Sequence, residues 1–347
     1  MGRLRFLHSA DFHLSKSLRL NDFSSSLSQI KDFALGKKCN FILVAGDIFH
    51  RKTPDNQARD VFYSWVKSLE SIKIFALVGT HDADVEFHSL TPLKSLGLSN
   101  LIVLDTLDLG HYDINGESIE ILSIPHLVRD SDIKVLETLL GSLVMKTGYK
   151  IVLGHFSVVG AECQGYVVNE KSGDFVLPKA LFKDPKIDYI ALGHIHKHQE
   201  IDRMRYAGSI ERVNFGEIKN EPGFYFVEDE KVSFVPLEVR PMVDVVVGDS
   251  ELSDISIPEK ALVRLVVKRN SFDFNLREAR RIIRERKGEL VTVTFDKKEE
   301  EKDASSKEVK AQFWTDLVLE EMDAVKGKEF DKEKLKRMFS EITGEVL

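Results

Sequence analysis

One apolar run after another in this chain ends on residue types that bind cations. Arg3 to Ser9 leads into Asp11-Phe-His13, Phe41 to Ala45 into Gly46-Asp47-Ile-Phe-His50, and Ile74 to Val78 into Gly79-Thr80-His81-Asp82. Later, Ile151 to Leu153 leads into Gly154-His155, and Tyr189 to Leu192 into Gly193-His194-Ile-His196. Each run is short and rich in β-branched and aromatic residues, so it reads as a strand. Six of the 11 histidines (13, 50, 81, 155, 194 and 196) therefore fall just beyond strands, at the edge where open α/β sheets place their ligands. One such histidine would ordinarily be structural; six together point to metal.

Between these strands Phe23, Leu27, Ile30 and Ala34 recur at helical spacing, and so do Ala58, Val61, Phe62, Trp65, Leu69 and Ile72. Leu101 to Leu104 and Ile119 to Ile124 add strands, and the alternation predicts an α/β domain. Arg205 to Ser209, Phe224 to Val227 and Val232 to Val235 read as antiparallel closing strands. The 347 residues allow roughly two domains at about 150 residues each. The expected division is 1–238 for the metal-bearing domain and 239–297 for a small α/β unit, whose helix runs from Asn275 to Lys287. A charged linker, 298–304, then leads to 305–347, where a Ser305-x-x-Glu308 capping box opens the first of two amphipathic helices. Their apolar stripes have little to bury against locally, which suggests another surface or another chain.

Other classes drop out. The two cysteines, Cys39 and Cys163, are too few for a disulfide framework and lack a metal spacing, and no apolar run approaches the roughly 18 residues of a membrane span. The N-terminus lacks the apolar stretch of a signal peptide, so a cytoplasmic protein is expected. A net charge of -7 argues against coating nucleic acid by bulk electrostatics. Between Arg264 and Lys298, however, 11 basic residues face 5 acidic ones, a local surplus suited to a polyanion.

A carboxylate between two dications bridges them, and neutral imidazoles in the other positions favour Mn, Fe or Zn over Ca. Asp47 is the natural bridge. Two such ions polarise a phosphoryl oxygen and lower the pKa of a shared water, which makes a phosphate ester the natural substrate.

In order, Asp-x-His, Gly-Asp-x-x-His, Gly-x-His-Asp, Gly-His and Gly-His-x-His resemble the calcineurin-like metallophosphoesterases. FLHSADFHL, FILVAGDIFHRKTP, YIALGHIHKHQ and MRYAGSIERVNFGE followed by GFYFVE are similar to SbcD-type nuclease subunits of the double-strand-break repair complex. The likeness covers most of the chain and is strongest from residue 4 to about 240.

The resemblance implies a four-layer α/β/β/α sandwich with a small α/β cap domain and C-terminal partner-binding helices. It implies two Mn2+ ions, with Mg2+, Fe2+ or Zn2+ as alternatives: Asp11, His13, Asp47 and His196 would hold the first, and Asp47, Thr80, His155 and His194 the second. His81 would protonate the leaving oxygen or organise the transition state, His50 would help place the phosphate, and Asp82 would orient His81. Thr80 stands where the family has Asn. Its hydroxyl is shorter and a poorer neutral ligand than an amide carbonyl, so a weakly held, water-mediated or shifted second ion is expected. Ser15 also replaces a glycine usual in the family. His8 is expected to support the first loop and His198 to be a non-ligand, while His88, His111 and His126 have no partner pattern.

The implied activity is 3′ to 5′ exonuclease on duplex ends and endonuclease on single strands or hairpins. Arg51, Lys52, Arg277, Arg280, Arg281 and Arg284 are the candidate DNA contacts. Two other readings compete: a metallophosphoesterase acting on a different phosphoester, and a DNA-end-binding scaffold crippled at Thr80. The implied partners are DNA ends, an SMC-like ATPase of the SbcC type gripped by 305–347, and a second copy of the chain. For that homodimer, the helices near Ala58 to Ile72 and His88 to Leu96 and the aromatics Phe62, Tyr63 and Trp65 are the expected contacts.

Overall fold

A computed structural model describes residues 4–82, 93–125, 130–163, 165–169, 172, 176–247, 256–268 and 276–295. The chain divides into two compact units, 1–239 and 240–347. The linker 298–304, the segment 305–347, His88 and His126 lie outside the described residues.

The first unit is built on two six-stranded sheets. In the first, β1 (Arg5–Ser9), β2 (Phe41–Val44), β3 (Lys73–Leu77) and β4 (Leu101–Leu104) run parallel, the strand Gly223–Glu228 pairs antiparallel with β1, and Lys231–Pro236 pairs antiparallel with that strand to form the edge. In the second, β5 (Asp108–Ile114) pairs antiparallel with β6 (Glu117–Ile124), which runs parallel to β7 (Tyr149–His155) and then to Tyr189–Gly193. Strand alternation builds the layers. Phe6, Phe41, Leu43, Phe75 and Leu77 face Ile119, Ile121, Ile151, Leu153 and Tyr189 of the other sheet in one buried core. On the outer face of the first sheet, Leu7, Ile42, Val44 and Ile74 pack against α1 (Leu20–Lys37) and α2 (Asn56–Lys67). Leu122, Val152 and Ile190 pack against α3 (Asp130–Val144) on the far side. Burial on both faces is why these strands read as unbroken apolar runs rather than alternating ones. The result is the expected α/β/β/α sandwich.

Three details differ from the sequence expectation. Met204–Tyr206 runs parallel to Tyr189–Gly193, because the edge strand Gln199–Ile201 makes the reversal between them. Phe62 and Trp65 are core residues, and the Trp65 indole N–H donates to the Leu27 carbonyl at 2.8 Å; only Tyr63 of the three aromatics is exposed. The strand Asp108–Ile114 and helix α3 are additions to it, the first being a half-exposed edge strand with a mixed polar sequence.

The second unit is a parallel three-stranded sheet, Met242–Val247, Leu262–Val267 and Glu289–Phe295, with α4 (Leu276–Glu285) crossing between the last two strands. Leu276, Ala279 and Ile283 bury one face of α4 while Arg277, Arg281 and Arg284 are exposed and Arg280 is half-buried. No helix among the described residues is long and apolar enough to cross a membrane.

His8 ties the two sheets together. Its ring is fully buried on β1, with Nε2 3.2 Å from the Leu192 carbonyl and Nδ1 3.1 Å from the Tyr189 hydroxyl. A carbonyl only accepts, so Nε2 carries the hydrogen and Nδ1 accepts from the phenol. Burial holds the ring neutral and pushes its pKa down to about 3. The unfolded chain takes up that proton below about pH 6.5, so between pH 6.5 and 3 it binds more protons than the folded state, and stability falls as the pH is lowered. The expected His8 share is a loss of roughly 3 kcal/mol by pH 4. Urea midpoints at pH 7, 5 and 4 should fall less steeply in His8→Asn than in the parent chain; parallel curves would rule the account out.

Candidate metal centre

The parallel strands of both sheets deliver their C-terminal ends to one place. Past β1 and β2 the two loops keep running side by side: Asp11 N–H donates to the Gly46 carbonyl at 3.1 Å, His13 N–H to Asp47 at 2.9 Å, and Leu14 N–H to Ile48 at 2.9 Å. This short ladder fixes the first two motifs against each other. Asp11, His13, Asp47 and His194 have φ of 51°, 44°, 51° and 87°. Non-glycine residues held in the left-handed region cost about 1–3 kcal/mol each and gather where function over-determines the backbone. Four expected ligands carry that strain.

The structure brings the expected ligands together in overlapping groups: Asp11 with Asp47 and His155, Asp11 with His13 and His196, and His13 with His50 and His81. His13 Nε2 and His196 Nε2 face each other at 2.9 Å. His155 Nε2 lies 3.3 Å from Asp47 Oδ2, while its Nδ1–H donates to the Ala45 carbonyl at 2.8 Å. The His194 ring sits 5.1 Å from that of His155, centroid to centroid, and its backbone N–H donates to Asp11 at 3.0 Å. Thr80 lies beside Asp47, its hydroxyl 3.3 Å from Oδ2 and 3.4 Å from Oδ1. The His81 ring is exposed with Nδ1 3.0 Å from the His50 carbonyl, and the His81 backbone N–H donates to Asp47 Oδ1 at 2.8 Å.

Asp82 differs from expectation. Its fully buried carboxylate accepts the backbone N–H groups of Gly79, Ile48 and Phe49 at 3.0, 3.1 and 2.8 Å, which staples the loop after β3 to the loop after β2. It orients the peptide that carries His81 rather than the His81 ring. His198 stacks on Phe234 with centroids 3.8 Å apart, and His111 pairs with Glu120; neither joins the cluster. Arg51 and Lys52 are exposed just after His50, and Arg281 is engaged with Glu278 and Glu285 on its own helix.

One residue at the centre has no counterpart among the sequence expectations. Glu217, buried at 1% exposure, accepts His196 Nδ1–H at 2.9 Å. Its only signal in the sequence is its place as the final letter of MRYAGSIERVNFGE.

The electrostatics follow from burying two carboxylates among imidazoles. Burial lifts Asp11 to about 6, with the nearby Asp47 charge adding to it and His155 and His196 opposing. Burial would lift Asp47 too, but His155, His13 and His81 outweigh it and hold this carboxyl well below the usual range. Burial would depress His155; Asp47 and Asp11 reverse this and raise it to about 9. Burial keeps His13 neutral and lowers His50, which His81 and Arg51 depress further.

This donor set fits divalent cations. His155 Nε2 is completely buried, with Asp47 Oδ2 at 3.3 Å as its nearest charged neighbour and no well-formed hydrogen bond. A buried ring nitrogen left in that state is costly unless another group engages it. Carboxylates and imidazoles converging from both sheets supply the mixed oxygen and nitrogen ligands that first-row divalent metals prefer.

Comparison with known proteins agrees with this geometry. The chain is 27% identical to the DNA double-strand break repair protein Mre11 of Archaeoglobus fulgidus over 73% of its own length and 63% of the relative's. It is 26% identical to the SbcD component of the nuclease SbcCD of Bacillus subtilis, over 62% of this chain and 63% of that one. Each match therefore spans somewhat less than two thirds of the relative's length. The family model for calcineurin-like phosphoesterases matches residues 4–198, which include every expected metal ligand, and the chain belongs to the calcineurin-like phosphoesterase family.

Proposed function

We propose that this chain is a metal-dependent DNA nuclease of the SbcD and Mre11 type that hydrolyses phosphodiesters at DNA ends, with two Mn2+ ions as its working cofactors. The observation that carries the reading is the convergence of Asp11, Asp47, His13, His155 and His196 from beyond the ends of parallel strands in two sheets. Its similarity to a double-strand-break repair protein and to a nuclease component supports DNA as the substrate.

Two bound dications would supply charge stabilisation at the phosphoryl oxygens and a nucleophile at neutral pH. Asp11, His13, Asp47 and His196 would hold one, and Asp47, His155, His194 and Thr80 the other. His81 stands at the exposed rim with Nδ1 against the His50 carbonyl. In its imidazolium form its free Nε2–H serves to protonate the departing 3′ oxygen. Arg51 and Lys52 flank the same rim, where cations would contact the DNA backbone independently of sequence. Arg277, Arg280, Arg281 and Arg284 are assigned the same task in the second unit. Duplex ends for 3′ to 5′ digestion, and single strands or hairpins for endonuclease cleavage, complete the proposed substrates.

Thr80 tempers this activity. Its hydroxyl donates toward Asp47 instead of presenting a ligand carbonyl, a weaker environment for a second ion and the basis for a DNA-end-binding alternative. End-labelled duplex and single-stranded circle, incubated across a manganese titration beside a panel of small phosphoesters, decide between the readings. The expected result is DNA cleavage that His81→Ala lowers roughly 100-fold or more, as loss of a general acid should. Thr80→Asn should raise activity at low manganese. Cleavage only after Thr80→Asn would leave the unmodified chain as a binding scaffold, and turnover of small esters without DNA cleavage would reject the nuclease.

The proposed partners are an SMC-like ATPase of the SbcC type, bound through 305–347, and a second copy of this chain. Deleting 305–347 should abolish capture of such an ATPase and leave cleavage intact; capture that survives the deletion discards that assignment.

A further inference from the structure

The loop that returns from Met204–Tyr206 passes over the metal cluster without lending it a ligand. Gly208, at φ 75°, lies so close to the chain that a Cβ there would stand 2.8 Å from the His196 carbonyl oxygen and 2.7 Å from the His198 nitrogen. Ser209 N–H donates to that same His196 carbonyl at 3.2 Å. The loop then closes as a single 3-10 turn, Phe215–Glu217, capped by the Asn214 side chain on Gly216 N–H at 2.7 Å. At its end both oxygens of the Glu217 carboxylate are engaged. Oε1 accepts His196 Nδ1–H at 2.9 Å and Asn214 Nδ2–H at 3.1 Å, and Oε2 accepts Val213 N–H at 2.9 Å.

A carboxylate cannot donate, so the hydrogen between these groups belongs to His196 Nδ1. In the neutral ring this leaves Nε2 as the lone-pair nitrogen. That nitrogen points inward, 2.9 Å from His13 Nε2 and within the Asp11, His13 and His196 group. We propose that Glu217 is a positioning residue: through its hydrogen bond it fixes the ring orientation and tautomer of His196 so that Nε2 is held ready for a divalent cation. A carboxylate behind a metal-binding imidazole also raises the basicity of the ligand, and removing such a partner typically costs about 10- to 100-fold in metal affinity. The inference rests on reading the cluster as a metal site; the identity of the substrate does not enter it.

The bland alternative is that Glu217 merely holds its own turn, through Val213 and Asn214. Three measurements on the full chain separate the two. Burial would depress the His196 ring, but the Glu217 hydrogen bond outweighs it and raises the ring to about 8. Nitrogen-15 NMR of the metal-free protein at about pH 10, where that ring is neutral, therefore reads its tautomer. Mn2+ titration calorimetry near neutral pH reads affinity, and thermal melting without metal reads the fold. Glu217→Gln keeps an oxygen for the Val213 N–H or the ring but loses the charge. The expected result is a single Nδ1–H tautomer in the parent chain, mixed tautomers in Glu217→Ala, and Mn2+ binding weakened about 10-fold in Glu217→Gln and up to about 100-fold in Glu217→Ala. Melting of Glu217→Gln should stay close to the parent. An unchanged tautomer and Mn2+ affinity in both variants, with only melting lowered, would overturn the proposal. If the parent chain itself takes up no Mn2+, the metal-site reading fails, and the tautomer measurement still decides whether Glu217 orients the ring.

Discussion

Replacing Asp47 with Asn should reduce DNA cleavage at saturating manganese by roughly three orders of magnitude while leaving the chain folded. The substitution is nearly isosteric, and Asn is one of the few residues that tolerates the left-handed backbone Asp47 adopts at φ 51°. An amide oxygen can still accept the His81 backbone N–H that Asp47 Oδ1 accepts at 2.8 Å, so the local chain path survives. The charge does not. Asp47 is the carboxylate nearest the centre of the cluster, 3.3 Å from His155 Nε2, 3.7 Å from His13 Nε2 and within 3.4 Å of the Thr80 hydroxyl. As the proposed shared ligand of two dications, it would have several kcal/mol of transition-state stabilisation depending on it. At about 1.36 kcal/mol per tenfold, roughly 4 kcal/mol corresponds to the expected thousandfold loss.

The same change has a second signature in the metal-free protein. His155 is raised to about 9 against the effect of its own burial, and Asp47 is the leading cause. Without that charge its pKa should drop, observable as a ring titration moved to lower pH in a histidine-resolved NMR experiment. Asp47→Asn that retains full cleavage and an unmoved His155 titration would contradict the placement of Asp47 at the centre.

Legibility in the sequence depends on whether a residue's role leaves a local mark. Asp11, His13, Asp47, His155, His194 and His196 each follow an apolar run, because a strand buried on both faces must be apolar to its end and the catalytic edge begins where it stops. Their convergence is a tertiary fact, yet parallel strands all end on one side, so the sequence pattern already implies it. Glu217 leaves no such mark. It lies in an irregular loop with neither strand nor helix periodicity, and its value arises only when that loop folds back over His196. Asp82 is visible as a motif residue but not in its detail, since its acceptors are filled by peptide groups 33 and 34 residues away as well as its neighbour Gly79. Phe62 and Trp65 depart from expectation for the reverse reason. On α2 they share the spacing that marks an apolar stripe, and a stripe alone does not say whether its own sheet covers it.

Gly193→Ala should be the most destructive single methyl in the first unit, costing about 3 kcal/mol or more and disabling the metal centre with it. Strand Tyr189–Gly193 ends where the two sheets meet backbone to backbone. A Cβ built on Gly193 would stand 1.9 Å from the Ala45 carbonyl oxygen and 3.1 Å from Ala10 Cβ. Neither obstacle is a flexible side-chain end; both belong to the residues that close β2 and β1. Well-packed cores typically lose about 1–3 kcal/mol to an added methylene, occasionally more, and here backbone rather than a rotamer must move. The Ala45 carbonyl also accepts His155 Nδ1–H at 2.8 Å and lies two residues before Asp47. Pushing it aside releases the His155 ring and shifts the central carboxylate in the same motion. Gly141→Ala provides the control: that glycine lies inside α3 with nothing within 4 Å of the new methyl, and relief of helix entropy should make it neutral or stabilising by about 0.5–1 kcal/mol. Urea unfolding and Mn2+ calorimetry of both variants measure the difference. A Gly193→Ala protein as stable as the parent, with unchanged Mn2+ affinity, would mean that the two sheets do not close on each other through this contact.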